Sequence, residues 1–251
     1  MLGRDRMRLT DYEVKVCEGI LASHPPGKHA ARSAVRHLLM AWKLRRIDPE
    51  MAAFHALTAE EEAATAIFRS VRRLQYGNSE RLNPRNHLHK NAIIPFFMAV
   101  AKIFALATKE GFASKLELDE KQSPPRFGVL VGVPDGKSKK WGRPIPPLDF
   151  TVSRNGQLHD YLEQMRDIAS AQNVKSVQKL LEDRANLRNQ ILYASGNGIP
   201  NIVGVGKLIQ ARRLWVFRNL LVYLLIDQTP RTQGFVQQGL DAFLGLVGKL
   251  P

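Results

Sequence analysis

Apolar residues recur at helical spacing along most of the chain, and this periodicity constrains the fold more than any other sequence feature. Apolar side chains three and four positions apart line one face of an α-helix. One predicted helix contains Pro95, so we expect it to kink or break there. The predicted helices cover residues 11–23, 30–47, 48–74, 83–107, 158–170, 174–195, 208–227 and 233–249.

The centre of the chain has a different pattern. Residues 127–133 and 146–152 are short, rich in β-branched residues and separated by a basic stretch, which predicts two strands around a loop. We therefore predict a mainly α fold, a helical bundle with a small two-stranded β insertion. The helical parts, 1–124 and 155–251, are expected to pack as one core, with the β-hairpin insertion at 125–154.

The chain carries a large excess of positive charge. Its 37 Lys and Arg residues outnumber 23 Asp and Glu, which gives a formal net charge of +14 over 251 residues. Such an excess favours a polyanionic partner, and nucleic acid is the first candidate. In the predicted loop, cations that can neutralise phosphates surround an aromatic ring that can stack on a base. These residues are Lys137, Lys139, Lys140, Trp141 and Arg143. The alternative is an exposed loop that its lysines keep soluble.

Several classes of protein do not fit the sequence. Cys17 is the single cysteine, which excludes an intrachain disulfide and a cysteine-rich zinc site. The first eight residues are charged, with no apolar stretch after them, and the longest apolar run, 220–226, is too short for a membrane span. The Gly204–Lys207 segment lacks the spacing of a phosphate-binding loop. We therefore expect a cytoplasmic protein without a cofactor, a metal site or a membrane partner.

A glutamate interrupts the apolar stripe of the predicted helix 48–74. Glu61 occupies the position between Leu57 and Ala64, where a buried carboxylate is costly unless it is paired. One interpretation is a capping box that begins at Thr58, or a rotated helix in which residues 60–62 are solvated. The other is that Glu61 points inward to a cation of the next helix, with His89 and Lys90 as the candidates.

Two arginines occupy the apolar stripe of the predicted helix 174–195. Arg184 and Arg188 lie one turn apart, which indicates an anion site or buried ion pairs with carboxylates such as Glu61. Arg184 is accordingly a candidate for nucleic-acid binding. The alternative is an amphipathic helix whose arginines extend from its edge into solvent.

Two short stretches resemble the HEPN superfamily of helical-bundle proteins, and its abortive-infection AbiV-like branch in particular. Arg188-Asn189, followed after a spacer by Tyr193, is similar to the last-helix motif of that superfamily, and 56–64 resembles its early acidic helix. The resemblance implies a metal-independent RNA-cleaving site made by an Arg and a His, completed at a homodimer interface, in toxin and phage-defence systems. Tyr193 stands where the nuclease members have His.

The sequence therefore predicts a HEPN-like protein of a bacterial defence or stress system that binds or cleaves RNA. In this interpretation Arg188 holds a phosphate, Asn189 orients it, Glu61 fixes the arginine, and Tyr193 takes the remaining site position. Two alternatives stay open. One is a non-enzymatic protein that binds nucleic acid or docks a partner, and the other is a purely structural helical scaffold.

Overall fold

The mainly α fold is confirmed in the computed structural model, which describes residues 7–154, 156–193 and 201–248. These ranges contain eight helices and five strands. The helices are α1 (Asp11–Ala22), α2 (Gly27–Leu44), α3 (Pro49–Arg73), α4 (His87–Lys109), α5 (Leu162–Ala171), α6 (Val177–Leu192), α7 (Val205–Asp227) and α8 (Gly234–Val247). The strands are β1 (Ala113–Asp119), β2 (Arg126–Asp135), β3 (Ser138–Gly142), β4 (Ser153–Arg154) and β5 (Gln157–Leu158).

Helix α3 lies at the centre of the molecule, between α2 and α7. It starts as the sequence predicts: Oδ1 of Asp48 accepts a hydrogen bond of 2.9 Å from the amide of Met51, and Pro49 takes the first helical position. The buried face of α3 consists largely of alanines, whose small side chains let neighbouring helices approach closely. They are Ala52, Ala53, Ala56, Ala59, Ala63, Ala64 and Ala66.

Helix α4 begins later than the sequence predicts. Asn86, and not Asn83, caps it, because Oδ1 of Asn86 accepts a 2.8 Å hydrogen bond from the amide of Leu88. The helix continues without a break through Pro95. Among the described residues, α4 alone is long and apolar enough to cross a membrane by length and composition. The buried residues of α4 lie mainly in its first half, between Lys90 and Phe96, and its last turns are largely exposed.

The β part is larger than predicted. Strands β1, β2 and β3 form an antiparallel sheet in that order, in which Ala113 pairs with Gly132 and Gly132 with Trp141. The sheet therefore starts at residue 113, before the predicted boundary at 125, and β4 and β5 form a second, two-stranded sheet. The polar alternation of β1 hid this strand from the apolar pattern used to find the others.

The prediction of a strand over 146–152 was wrong, and so was that of a long basic loop. A turn at Gly136, where φ is +59°, sends the chain straight back, so the lysine-rich segment becomes β3. Residues 146 and 147 are prolines and lack the N–H that a strand ladder needs. Side chains of α8 bind this segment instead: Gln233 accepts from the amide of Leu148 at 2.7 Å, and Gln238 from that of Val152 at 2.9 Å.

Apolar side chains from before and after the sheet form one core. Helix α7, which the sequence predicts to be apolar on most sides, contributes Leu220, Tyr223 and Leu224, all fully buried, and packs along α3. The predicted interruption at 196–200 lies outside the described residues. The core fixes α3, α4 and α6 side by side, and their polar side chains meet at the start of α4.

Candidate functional site

An imidazole and a buried carboxylate pair at the junction of α3 and α4. Because Asn86 caps α4, His87 is the first residue of that helix and faces the middle of α3. Its Nδ1 atom lies 3.0 Å from Oε1 and 2.9 Å from Oε2 of Glu61. The side chain of Glu61 is 3% exposed, whereas that of His87 is 45% exposed. The carboxylate is thus an internal anchor, and the imidazole projects from it to the surface.

Two more donors complete the surroundings of the carboxylate. Nζ of Lys90 lies 2.8 Å from Oε2 of Glu61, and Nδ2 of Asn91 donates to Oε1 at 3.1 Å. Burial by itself would raise the pKa of Glu61, but the hydrogen bonds and charges of Lys90 and His87 outweigh it and hold the pKa below its usual value. Glu61 is therefore an anion at neutral pH.

Arg188 of α6 contacts the other nitrogen of the same imidazole. Its Nη1 atom lies 3.3 Å from Nε2 of His87, and its guanidinium carbon lies 4.6 Å from the centre of the Phe54 ring. A guanidinium only donates hydrogen bonds, so Nε2 must be the acceptor and the ring proton must be on Nδ1. This assignment agrees with the bond from Nδ1 to Glu61. Nε2 of the half-exposed ring is therefore the nitrogen that faces Arg188.

The structure brings some of the predicted site residues together. Glu61 points inward and pairs with Lys90, while His89 binds elsewhere and accepts at Nδ1 from the amide of Asn83. The inward interpretation of Glu61 was therefore right, with Lys90 as the cation. The capping box and the rotated, solvated helix were wrong, because the side chain is buried and Thr58 donates to a carbonyl within an unbroken helix. Glu61 and Arg188 meet only through His87, so the carboxylate does not fix the arginine directly.

Asn189 and Tyr193 do not join this cluster. Both are exposed, and the tyrosine ring, 66% exposed, makes no hydrogen bond or ring contact with the Glu61 group among the described residues. The backbone amide of Tyr193 donates to the carbonyl of Asn189, which ends α6. His87, and not Tyr193, supplies the ring beside Arg188. Its helical spacing to Lys90 and Asn91, three and four residues on, was the sequence signal for a shared face.

Glu60 forms a second buried cluster beside the first. Its Oε2 atom accepts a 2.7 Å bond from Nη1 of Arg212, while Oε1 has no hydrogen-bond partner in the described chain. Burial raises the pKa of Glu60, and the charges of Arg212 and Arg184 oppose the rise without cancelling it. Burial also lowers the pKa of Arg184, whose Nε atom is buried and unpartnered among the described residues. Arg184 is thus a half-buried cation whose charge lies close to Glu60.

Two further histidines lie on the other side of Phe54. Nδ1 of His37 on α2 lies 2.7 Å from Nδ1 of His55 on α3, and the ring centres of His55 and Phe54 are 6.0 Å apart. Burial lowers the pKa of both histidines, and the charge of Arg36 adds to the effect. Sequence reasoning missed this pair because its members come from different helices.

A basic cleft borders the site at Lys90. Its volume is about 990 Å³, and Glu62 is the one carboxylate among its described lining residues. The cations that line it are Arg69, Arg72, Arg73, Arg85 and Lys90. Arg72 is held by the carbonyl groups of residues 79 and 80, and Arg73 by Asp227. Arg69 and Arg85 have no ion-pair partner among the described residues, so their charges are available to an anion.

The predicted basic loop lies far from this cleft. The sheet follows the last turn of α4, whereas His87 begins it, and 22 residues of helix separate the two ends by about 33 Å. Two of the cations near Trp141 already form ion pairs. Lys140 pairs with Asp135 at 3.0 Å, and Arg143 pairs with Glu117 at 2.7 Å.

The indole of Trp141 is also occupied. It packs across Gly132, where an added Cβ would lie 3.2 Å from the ring, and Nζ of Lys115 lies 4.3 Å from the ring centre. Lys137 and Lys139 stay exposed on this sheet. The sheet therefore offers cations to a polyanion, and its tryptophan, 40% exposed, already contacts Gly132 and Lys115.

Comparisons with known proteins found no relative of this chain. No family model matches the chain, and neither a curated protein nor a solved structure is detectably similar to it. Within residues 7–154, 156–193 and 201–248, no three side chains of His, Cys, Asp or Glu are grouped so that they could hold a metal ion.

Proposed function

We propose that this protein binds single-stranded RNA and cleaves it without a metal ion, with His87 as the catalytic base and Arg188 as the phosphate-binding residue. The observation that carries the proposal is the position of one half-exposed imidazole between a buried carboxylate and a guanidinium. General bases need a free nitrogen near the substrate and an orienting partner behind it. His87 has both.

The chemistry follows from the two contacts of the ring. A phosphate that enters the site draws Arg188 away from Nε2, at little cost because the 3.3 Å contact is long for a hydrogen bond. Nε2 then takes the proton of a ribose 2′-hydroxyl, and the 2′-oxygen forms a bond to phosphorus. The bond from phosphorus to the 5′-oxygen breaks, and the imidazolium returns its proton to that oxygen. The products are a 2′,3′-cyclic phosphate and a 5′-hydroxyl.

The residues around the ring lower the barrier to this reaction. Glu61 stabilises the imidazolium that forms, and Lys90 and Asn91 hold Glu61 in place. Arg188 neutralises charge that develops on the phosphate oxygens. Glu61, Lys90 and Asn91 are positioning residues, because they act through His87.

The basic cleft supports a nucleic-acid substrate. It meets the site at Lys90, and its Arg69 and Arg85 have charges free to contact phosphates next to the scissile one. A single strand gives each cation a separate phosphate, and the release of counterions drives binding. The net charge of +14 acts in the same direction.

The HEPN-like resemblance supports the same function, but the site proposed here differs from the family's site in one respect. In the resemblance, an arginine and a histidine on the last helix form the site, whereas here Arg188 of α6 meets His87 of α4 within one chain. Completion by a homodimer is therefore not needed to join the two groups. A role in bacterial defence or stress and a cytoplasmic location are part of the proposal, supported by the resemblance and by the charge.

The test is cleavage of a labelled single-stranded RNA by the purified protein in excess EDTA. We expect products that end in 2′,3′-cyclic phosphate, no cleavage of the same strand with 2′-deoxyriboses, and loss of activity in Arg188→Ala. Arg166→Ala, an exposed arginine of α5, is the matched control. Cleavage of the deoxy strand, or activity that requires added metal, would refute the mechanism.

The second candidate function is non-enzymatic binding of nucleic acid, and the exposed Lys137 and Lys139 favour it. In this case the RNA stays intact, and loss of the sheet lysines weakens its binding while loss of Arg188 does not. A gel-shift titration beside the cleavage assay distinguishes the two functions.

A further inference from the structure

An apolar cavity lies between α3, α4, α7 and α8, away from the His87 site. Its volume is about 590 Å³, and aromatic and aliphatic side chains such as Phe96, Leu225 and Phe243 form its walls. The cavity is open to solvent on one side, and clefts of roughly 300–1,000 Å³ with apolar walls usually bind small molecules. A void lined by such side chains favours an apolar occupant over water.

The mouth of this cavity is polar and positively charged. Arg218 and Ser114 belong to its lining and are both exposed, and the guanidinium carbon of Arg218 lies 5.0 Å from the centre of the Trp215 ring. No carboxylate pairs with Arg218 among the described residues. Along α7 the lining changes from exposed Arg218 to buried Leu225, seven residues and about 10 Å further along the helix axis. The cavity is thus cationic at its entrance and apolar at its end.

We propose that this cavity binds a long-chain fatty acid, with the carboxylate on Arg218 and the alkyl chain between α4 and α8. The polarity of the ligand matches that of the cavity at both ends: a guanidinium binds a carboxylate well, and the alkyl chain leaves water for an apolar wall. This site is independent of the proposed ribonuclease activity and shares no residue with it.

A glycine in the wall of the cavity allows a sharp test. At Gly239 of α8 an added Cβ would lie 3.8 Å from the ring of Phe96, an ordinary distance, so a larger side chain can begin there in the wall of the cavity. Gly245, on the same helix and outside the lining of this cavity, has nothing within 4 Å of such a Cβ. Gly239→Leu and Gly245→Leu are therefore matched variants, and either leucine is compatible with a helix.

The experiment is a fluorescence titration of the purified full chain with a polyene fatty acid, followed by displacement with palmitate. Wild type and Gly245→Leu should bind, Gly239→Leu should not, and its melting temperature should show that it is folded. Arg218→Gln should weaken palmitate binding by about tenfold or more, because one charge-assisted bond is lost, and should leave binding of the matching fatty alcohol unchanged.

Three results would overturn the proposal. The first is equal binding by wild type and Gly239→Leu. The second is binding only to anionic phospholipid vesicles and not to free palmitate, which would assign the cavity to a membrane lipid. The third is a wild-type dimer that binds no fatty acid and dissociates in Gly239→Leu, which would assign the cavity to a second copy of the chain. Sedimentation of wild type and Gly239→Leu measures whether the chain is a dimer and whether the variant dissociates.

Discussion

Nε2 of His87 lies 3.3 Å from Nη1 of Arg188, so one imidazole connects a buried anion on α3 to a cation on α6. The arginine keeps the reactive nitrogen covered until a stronger acceptor, such as a phosphate, replaces it. This relationship has a spectroscopic consequence. The free protein should contain His87 with its proton on Nδ1.

We expect ¹⁵N NMR of the histidine side chains at neutral pH to show this tautomer for His87. In Glu61→Gln, where the acceptor is an amide, the preference for Nδ1–H should weaken. His29, an exposed residue of α2, is the internal reference for an unconstrained ring. A proton on Nε2 of His87 in the free protein would contradict the contact with Arg188.

Adjacent carboxylates of α3 should respond differently to neutralisation. Glu61→Gln leaves Lys90, whose side chain is 9% exposed, without its counterion, and we expect a loss of about 3 kcal/mol in the free energy of unfolding. Folding raises the pKa of Glu60, so its charge contributes less, and Glu60→Gln should cost at most about 1 kcal/mol. Urea unfolding at pH 7 compares them. Equal losses would contradict the opposite pKa shifts.

Acid should destabilise the protein through Asp227, which ends α7. Burial would raise the pKa of Asp227, but hydrogen bonds from the amide of His24 at 2.9 Å, Arg73 at 2.7 Å and Ser70 at 2.9 Å hold it below the usual 3.8. Because folding lowers the pKa of Asp227, the ionised carboxylate contributes its full stabilisation above pH 3.8. This contribution is lost as the pH falls through the lower pKa of the folded protein.

Asp227→Asn should therefore cost about 3 kcal/mol at pH 7, and the difference from wild type should shrink as the pH falls below about 4. Chemical unfolding measured across this pH range gives the difference directly. Asp167→Asn, a variant of a more exposed aspartate, is the control and should change little. A difference that stays constant with pH would exclude the ionised Asp227 as its cause.

The sequence was sufficient to predict local features of the fold. Asp48 and Pro49 specify the start of α3, and the apolar stripe with Glu61 in it indicates a carboxylate that points inward. Helical spacing depends only on neighbouring residues, so these features can be found without knowledge of the fold. The strand β3 was not predicted, because its residues are mostly lysines and have no apolar pattern.

The pairing between helices could not be predicted in the same way. His87 and Arg188 are 101 residues apart, and every cation on an inward stripe was an equal candidate for Glu61. Which one reaches the carboxylate depends on the rotation and depth of α4 against α3, and small alanines set that depth. Arg184 is an example: it lies on the stripe of α6 as predicted, but the sequence could not show that its charge lies close to Glu60.

The basic cleft should control the salt dependence of RNA binding. Each phosphate contact on a single strand contributes about 0.7 to the slope of log K against log salt, so Arg69→Ala with Arg85→Ala should reduce the slope by about 1.4. Lys137→Ala with Lys139→Ala, on the sheet at the far end of α4, is the matched double variant and should leave the slope unchanged. A loss of slope in the sheet variant alone would place the RNA on the sheet.

The most direct measurement is the single-turnover rate of RNA cleavage in EDTA by His87→Gln beside His29→Gln. In the proposed mechanism His87 supplies the base, so its replacement should slow cleavage by about 10²-fold or more, while His29→Gln should match wild type. Both variants should bind the RNA with the affinity of wild type. Cleavage by His87→Gln at the wild-type rate would contradict the account.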